Sequence, residues 1–535
     1  MSLMRAITTV GGYTLISRVL GFVRDVLLAA FLGAGAAADA FVVAFKLPNL
    51  FRRLFAEGAF SAAFVPLFAR RLAGEGRDAA RLFAEQAQAV LLFALVVFVM
   101  IAEATMPWAL SVVAPGFLDD PEKFRLAVEL TRITFPYLLF VSLVSLIGGV
   151  LNALERFAAT SATPIFLNLV MIGGLVLWQW YAPSAAHGAA WGVVVAGFTQ
   201  LVWLALVLRS AGLGLRLRWP KLTPEVKRLL VLMLPVALGA GVYQINVVID
   251  VVIASFLPSG AVSYLYYADR LNQLPLGVVG IAIGTALLPI LARQIRAGED
   301  TAALANQNRA LEVALALTLP AAAALIVIAQ PIIAVLFERG AFGSDAVTAT
   351  AWTLAAYAVG LPAHVLAKVF TPGYFAREDT ATPVKFAVVV MVVNAALAIA
   401  LMLALQPFGI GHVGIALATA LTGWLNAALL WRGLTKRGHF RTDLRLRRRV
   451  LPLFAAVAIM AAVLAGGAWL ARSWLGGEPV ERITALAALV AVGLVAYGAA
   501  AQLLGAIDLR ELRSLLRPRR GAPPAKPDGG ADSNG

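Results

Sequence analysis

Long apolar runs separated by short polar segments cover this chain from about residue 10 to residue 505. A helix needs about 20 mostly apolar residues to cross a bilayer, and fourteen runs approach or exceed that length. The predicted spans are 10–32, 38–66, 86–113, 126–151, 163–182, 188–208, 227–256, 261–292, 309–336, 347–372, 383–405, 411–432, 450–472 and 482–505. The pattern therefore predicts an all-α integral membrane protein with about fourteen transmembrane helices.

Short motifs recur along the chain at an offset of about 222 residues. The run 64–70 (FVPLFAR) resembles 287–293 (LLPILAR), and the Thr-Pro pair at 163–164 recurs at 382–383. Each half then holds six spans, and an even number gives both halves one orientation in the membrane. We predict two six-helix lobes with the substrate between them, followed by two additional helices. The predicted boundaries are 1–212 and 223–440 for the lobes, 447–507 for the additional helices and 508–535 for a disordered cytoplasmic tail.

Composition and charge placement agree with this architecture. The chain is 61% hydrophobic and only 14% charged, with a mean hydropathy of +0.85, which excludes an ordinary soluble domain. Its net charge of +15 comes from Lys and Arg concentrated in every second connection between spans. The positive-inside rule therefore places both termini in the cytoplasm. Nucleic-acid binding is the alternative for a basic chain and is not favoured, because the charge follows the topology.

The first span carries charge that a lipid-facing helix would not tolerate. A charged side chain at the bilayer centre costs about 2.5–3.5 kcal/mol on insertion scales. On a helical projection Ser17, Arg18, Gly21, Arg24 and Asp25 share an arc of roughly 120°. The stripe is expected to face protein or water, and its excess of cations indicates an anionic cargo. The alternative is an Arg–Asp pair that only holds helices together.

The second span carries further polar residues beside a proline. Pro48 removes a backbone donor and predicts a kink. Asn49 and Arg52 follow the proline within about one turn, and this arrangement suits a polar cavity. Asp39 is a further charged residue near the start of the same span. The alternative is that Arg52 and Arg53 lie at the cytoplasmic mouth and are simply solvated.

The eighth span repeats the combination of a cation with small residues. Arg270, Gln273, Gly277, Gly280 and Gly284 share one narrow helical face. Such a face can line a cavity, but rows of glycine also allow helices to pack closely, and both interpretations stay open.

Two oxygen-bearing residues lie in otherwise apolar spans of the second half. Asp250 belongs to the seventh span and Asn394 to the eleventh. Such a pair can hold a monovalent cation. A single hydrogen-bonded buried Asp is the alternative, and it is favoured on the residues alone. The chain has no cysteine and only four histidines, so disulfides and a His-rich metal site are not expected.

Several of these motifs together resemble the MurJ (MviN) family, over about residues 5–505. The motif in the second span, residues 39–60, is the longest and most specific of them. The motifs are 17–25 (SRVLGFVRD), 39–60 (DAFVVAFKLPNLFRRLFAEGAF), 114–117 (APGF), 134–137 (TFPY), 266–271 (YYADRL) and 382–385 (TPVK).

The resemblance implies a function that the charged residues alone would not identify. That family flips lipid II, the undecaprenyl-pyrophosphoryl precursor of peptidoglycan, across the bacterial inner membrane by alternating access. It belongs to the multidrug/oligosaccharidyl-lipid/polysaccharide exporter superfamily, and its two extra C-terminal helices are thought to form a groove for the lipid tail. The residues that match the family's cavity positions are Arg18, Arg24, Asp25, Asp39, Asn49, Arg52 and Arg270.

The resemblance also sets expectations for cofactors and partners. Some members bind sodium, and Asp250 and Asn394 fit that pattern, although Ala398 stands where a second Asp is expected. Gln273 replaces an acidic residue of some members. No other cofactor is expected, and the membrane potential is the expected driving force. The expected partners are lipid II, membrane lipids and other cell-wall synthesis proteins, with no nucleic acid.

Two other functions were weighed against lipid II transport. An exporter of another anionic lipid-linked oligosaccharide or small molecule of the same superfamily is the nearest alternative. An enzyme acting on polyprenyl phosphates would need clustered carboxylates for Mg²⁺, and the sequence shows no such cluster.

Overall fold

The computed structural model describes residues 3–53 and 60–506. The motif residue Glu57 and the predicted tail 508–535 lie outside the described residues. Within the described part every regular element is helical. The first half contains α1 Leu3–Leu32, α2 Ala36–Phe51, α3 Ser61–Gly74, α4 Gly76–Val113, α5 Pro121–Thr134, α6 Tyr137–Ala153, α7 Phe157–Leu177 and α8 Ala185–Ser210.

The second half and the C-terminal helices follow after an extended linker. The second half contains α9 Pro224–Ser255, α10 Ala261–Pro275, α11 Ile281–Arg296, α12 Asp300–Val327, α13 Ala329–Phe337, α14 Ser344–Phe375, α15 Ala381–Leu405 and α16 Gly411–Lys436. The additional helices are α17 Leu444–Leu470, the short α18 Arg472–Leu475 and α19 Pro479–Leu503. The predicted lobe boundaries fall in the connections before α9 and α17.

Length and composition make this a multi-pass membrane protein. Among the described residues, eleven helices or joined helix pairs are long and apolar enough to cross a membrane. The all-helical membrane architecture is therefore confirmed. The number fourteen stays a prediction, because α1, α2 and α9 are not among these eleven.

Besides the ninth span, which Ile328 divides into α12 and α13, two spans that the sequence predicted as continuous are interrupted beside prolines. The fourth is divided into α5 and α6 at Phe135 and Pro136, and the eighth contains a π-helical turn, Leu276–Gly280, directly after Pro275. Proline lacks the backbone N–H that would continue the helical ladder, so each break follows from its local sequence. Apolar periodicity alone does not register these breaks.

The packing divides the bundle into a closed end and a basic end. At the closed end, where α1 ends and α10 begins, both halves contribute to one core that includes Phe41, Leu110, Tyr267 and Phe337. At the basic end, which holds the Arg-rich connections, there are two separate cores. The first contains Phe64, Phe83 and Leu204 together with Leu229 of α9, and the second contains Leu291, Phe370 and Phe440. The halves therefore share one core at the closed end, whereas at the basic end their cores are separate except where α9 packs on α3 and α4.

The two C-terminal helices pack against each other and against α12 of the second half. Their shared core includes Leu319, Leu453, Met460 and Leu489. The pair therefore packs on the second half, and its status as an addition to two repeated lobes stays a prediction.

Candidate functional site

Arg24 on α1 is almost fully buried, with 6% of its surface exposed. Its Nε and Nη2 donate to Asp25 Oδ1 over 3.1 and 2.7 Å, and its Nη1 donates to Asn168 Oδ1 over 2.9 Å. The guanidinium also lies 5.8 Å from the ring centre of Phe45. Buried in this way, the charge of Arg24 is compensated by Asp25 and its orientation is set by α7.

Asp25 joins Arg24 to the second half of the molecule. Its Oδ2 lies 3.6 Å from Arg270 Nε, and its Oδ1 accepts from Tyr266 Oη at 3.3 Å. Arg270 Nη2 in turn donates to Tyr266 Oη over 3.1 Å. One carboxylate therefore lies between guanidiniums from the two halves. The side chain of Arg270 keeps 33% of its surface exposed, whereas Gln273 turns aside to donate to Asp269.

Arg18 lies on the same face of α1, nearly two turns nearer the basic end, and is exposed. Its guanidinium packs on Gly277, where an added Cβ would come within 3.1 Å of Nη1. Any larger residue at Gly277 would therefore push Arg18 away. The glycine-rich face of the eighth span thus contacts the charged stripe of α1 at this point.

Asn49 and Arg52 on α2 form a second polar pair. Asn49 Nδ2 donates to the carbonyl of Phe45 over 2.7 Å, and Arg52 Nε donates to Asn49 Oδ1 over 3.0 Å. Asn49 thus orients Arg52, which is half-buried. The helix passes through Pro48 and adopts a π-type turn at Arg52, so the predicted distortion lies just after the proline.

These groups have a strong electrostatic bias. The four guanidiniums of Arg18, Arg24, Arg52 and Arg270, counted with the carboxylates of Asp25 and Asp269, give a formal charge of +2. Guanidinium groups bind phosphate oxygens through two parallel hydrogen bonds and stay charged at any physiological pH. The arrangement is chemically suited to a multivalent phosphate anion.

Asp39 lies apart from this cluster, at the closed end. Its Oδ2 accepts from Lys123 Nζ and from the backbone N–H of Gly260, both over 2.8 Å. Its Oδ1 accepts from the backbone and the hydroxyl of Ser263. The carboxylate of α2 therefore caps the N-terminus of α10 in the other half, where the helix dipole favours a negative charge.

Close backbone contacts surround this capping interaction. Gly260 has a φ of +106°, and a Cβ there would come within 2.9 Å of the carbonyl oxygen of Ala34. The backbone N–H of Ala341 donates to the carbonyl of Ala30 over 2.8 Å. The two halves thus meet backbone to backbone at the closed end.

The predicted oxygen-bearing pair of the second half is brought together. Asn394 Nδ2 donates to Asp250 Oδ1 over 3.1 Å and to Asn246 Oδ1 over 3.3 Å. Thr422 Oγ1 donates to Asn394 Oδ1 over 3.0 Å. The oxygens of Asp250 and Asn246 thus both accept from the Asn394 amide nitrogen. No group of three or more His, Asp or Glu that could hold a metal occurs within the described ranges.

Sequence reasoning missed two residues that organise these sites. Asn168 binds both Arg24 and the backbone of Ser17, the latter over 2.9 Å. It is a lone amide in α7, and it lies 226 residues before Asn394, so the motif offset of about 222 does not lead to it. Lys123 shares its connection with Arg125 and three acidic residues, and no sequence pattern distinguished it.

Comparisons with known proteins identify the family. Residues 28–484 match the family model described as "Lipid II flippase MurJ". A protein of Rhizobium meliloti (strain 1021) named "Probable lipid II flippase MurJ" is 46% identical over 98% of this chain and 97% of its own length.

Solved structures agree with that match. One described as "Lipid II flippase MurJ, inward closed conformation" superposes with a TM-score of 0.75 and 25% identity over 95% of this chain and 99% of that chain. An inward-facing multidrug resistance MATE family transporter of the MOP superfamily gives a TM-score of 0.66 at 14% identity, covering 79% of this chain and 95% of that chain, and so shares the fold. The chain therefore belongs to the MurJ family of lipid II flippases.

Proposed function

We propose that this protein moves lipid II from the cytoplasmic to the periplasmic leaflet of the bacterial inner membrane by alternating access. The names of its relatives support the substrate. The observation that carries the proposal is the contact of Arg24 and Arg270 with one carboxylate, Asp25, between the two halves. In the proposal these guanidiniums, with Arg18 and Arg52, bind the pyrophosphate of the cargo.

Asp25 then acts as the internal counter-ion of an empty site. A pyrophosphate presents more negative charge and more acceptor oxygens than one carboxylate, so it competes with Asp25 for both arginines. Arg270 and Arg18 meet the headgroup first, because they are the more exposed cations. Arg24 follows once Asp25 is displaced, while Asn168 keeps its guanidinium in place.

The two ends of the bundle supply the access change. By the positive-inside rule the basic end is cytoplasmic and both termini lie on that side. In the proposal a cavity between the two separate cores of the basic end admits cargo from the cytoplasmic leaflet. Release to the other side requires the Asp39–Lys123–Ser263 contacts to open and the basic end to close.

A monovalent cation bound at Asp250, Asn246 and Asn394 is proposed as a second ligand. The support is the convergence of these oxygens around the Asn394 amide nitrogen. A bound cation would neutralise Asp250 within an apolar helix pair.

Complementation of a flippase-depleted strain tests the central proposal. Arg24→Ala, Arg52→Ala and Arg270→Ala should each abolish or severely slow growth at normal protein levels. The matching Lys variants should rescue poorly, because Lys keeps the charge but not the planar fork. Arg472→Ala, at an exposed arginine of α18 far from the cluster, is the matched control and should grow normally.

Two outcomes would contradict the proposal. Wild-type growth of the Ala variants at both Arg24 and Arg52 would remove the central site. Full rescue by all three Lys variants would reduce the role of the arginines to setting the cavity potential. Direct measurement of lipid II translocation in the depleted strain distinguishes a transport defect from a general growth defect.

A further inference from the structure

A pocket of about 400 Å³ lies at the basic end, between the first two turns of α17 and the end of α19. It is separate from the central cluster, because α17 and α19 belong to the C-terminal pair. Its lining residues are Leu444, Arg445, Arg448, Arg449, Pro452, Leu504 and Gly505.

The charge balance of this pocket is strongly positive. Glu312 of α12 is nearly buried and is contacted by three guanidiniums, Arg309 at 2.8 Å, Arg445 at 3.2 Å and Arg449. The nearest other carboxylate, Asp443, accepts from the backbone N–H of Leu446 over 2.7 Å and so caps α17. One carboxylate thus serves three arginines before Arg448 is counted.

Arg448 is the most available cation of the pocket. It is exposed, and it makes no hydrogen bond or ion pair with any residue that the structure describes. Its neighbour Arg447 is equally exposed but does not line the pocket.

The apolar surroundings place the pocket at the level of lipid headgroups. Toward the centre of α17 and at the end of α19, large apolar side chains are exposed, with Leu451 at 77% and Leu503 at 86%. Both helices have the length and hydropathy of membrane spans. The arginines of the pocket therefore lie at the boundary between an exposed apolar surface and a charged one.

We propose that this pocket binds the phosphodiester headgroup of an anionic glycerophospholipid, with Arg448 as its principal ligand. Basic pockets between helices on the positively charged side of a membrane protein are suited to such headgroups. The acyl chains lie along the exposed apolar surface of α17 and α19. The bound phosphate pairs with Arg448, so the lipid lies between the start of α17 and the end of α19.

Two other occupants fit the chemistry less well. A free phosphate would leave the apolar surface beside the pocket uncovered. The sequence that continues after Gly505 is itself net basic, with six cations against four anions. The cations are Arg510, Arg513, Arg517, Arg519, Arg520 and Lys526, and the anions are Asp508, Glu511, Asp528 and Asp532.

Lipid binding to the purified full-length protein tests the proposal. Delipidated protein is titrated with phosphatidylglycerol, with phosphatidylcholine and with inorganic phosphate, and bound lipid is counted by native mass spectrometry. Wild type should retain phosphatidylglycerol in preference to phosphatidylcholine. Arg448→Gln should weaken that binding at least about tenfold, the loss expected for one charge-assisted hydrogen bond.

Arg447→Gln is the matched control, since it removes the same charge from the adjacent residue without touching the pocket. Binding by this variant should equal wild type. An equal loss in both variants would show that only diffuse surface charge attracts the lipid, and unchanged binding by Arg448→Gln would exclude the site. Displacement of phosphatidylglycerol by inorganic phosphate at the same concentration would indicate a pocket for a free anion. None of these outcomes affects the central cluster, so the transport proposal is tested separately.

Discussion

In each half an asparagine on a neighbouring helix holds a charged group, Asn168 for Arg24 and Asn394 for Asp250. Asp250 lies 226 residues after Arg24, and Asn394 lies 226 residues after Asn168, which is about one helical turn more than the offset of the recurring motifs. In the first half α1 packs on α7, and Asn168 accepts a hydrogen bond from Arg24 over 2.9 Å. In the second half α9 packs on α15, and Asn394 donates to Asp250 over 3.1 Å. The same helix pair with the same asparagine thus holds opposite charges.

An amide makes this difference workable, because it carries both an acceptor and two donors. Asn168 uses its oxygen on a cation, whereas Asn394 uses its nitrogen on an anion. The two halves therefore share the helix packing and the asparagine that binds the charged group, but the charges have opposite signs. One half is left suited to an anionic cargo and the other to a small cation.

The largest effect should come from giving the first half the charge of the second. Arg24→Asp places a second carboxylate beside Asp25 in a buried site and removes its cation. An uncompensated buried charge costs about 3–5 kcal/mol, so we expect loss of complementation together with reduced protein in the membrane. Immunoblots of membrane fractions from the depleted strain measure both. Normal accumulation and growth would mean that the charge at this position is unimportant.

Removal of the two asparagines should have unequal effects. Asn168→Leu leaves one N–H of a nearly buried guanidinium without its acceptor, while Asp25 still binds the rest of the group, and such a change costs about 1–3 kcal/mol. Asn394→Leu should cost less, because Asp250 is only half-buried. Thermal unfolding in detergent checks the order. A greater loss of stability for Asn394→Leu would contradict the view that the Arg24–Asn168 contact contributes more than the Asp250–Asn394 contact.

Sodium should stabilise the second half alone. At ten times its dissociation constant a ligand adds about 1.4 kcal/mol of stability, which predicts a higher midpoint of unfolding in sodium than in choline chloride. Asp250→Asn should abolish the difference, and Asn168→Leu should retain it. Identical midpoints of the wild-type protein in both salts would argue against a cation at Asp250.

The smallest effect concerns the turns before α7 and α15. Glu155 and Glu378 both adopt positive φ, 59° and 62°, at equivalent places in the two halves. Only the second turn continues into a clamp, in which Asp379 accepts from Thr382 and Arg437. These hydrogen bonds and the positive charge lower the pKa of Asp379 to about 2.

A carboxyl whose folded pKa lies below its unfolded value of about 3.9 stabilises the protein above that pH and loses its contribution as the pH falls toward 2. Asp379→Asn should therefore lower stability at pH 7 by less than about 1 kcal/mol, as expected for a surface pair. The difference from wild type should shrink at pH 3. Glu155→Gln, an exposed change in the other turn, serves as the control and should show no such trend.

Much of the candidate site was predictable one helix at a time. The arc of Arg18, Arg24 and Asp25 indicated a face turned away from lipid, and that face does contact protein, at Gly277 and Asn168. The pairing of Asp250 with Asn394 was also anticipated. That these residues bind a substrate or an ion stays a prediction. The partner of Asp39 could not be anticipated, because Gly260 and Ser263 lie more than 220 residues away and present backbone groups that no residue type marks.

The sequence by itself determined the all-helical membrane architecture, the repeat and the family, because apolar length, loop charge and local motifs are all read along one dimension. Tertiary structure decided that Arg270 reaches Asp25 and that Asp39 caps α10. It also decided that the halves share one hydrophobic core at the closed end and form two separate cores at the basic end. These outcomes depend on how helices from different halves cross and on which turn of each meets the other. Helical periodicity determines which face of a helix a residue lies on. It does not determine the crossing angle of two helices or the turn at which they make contact.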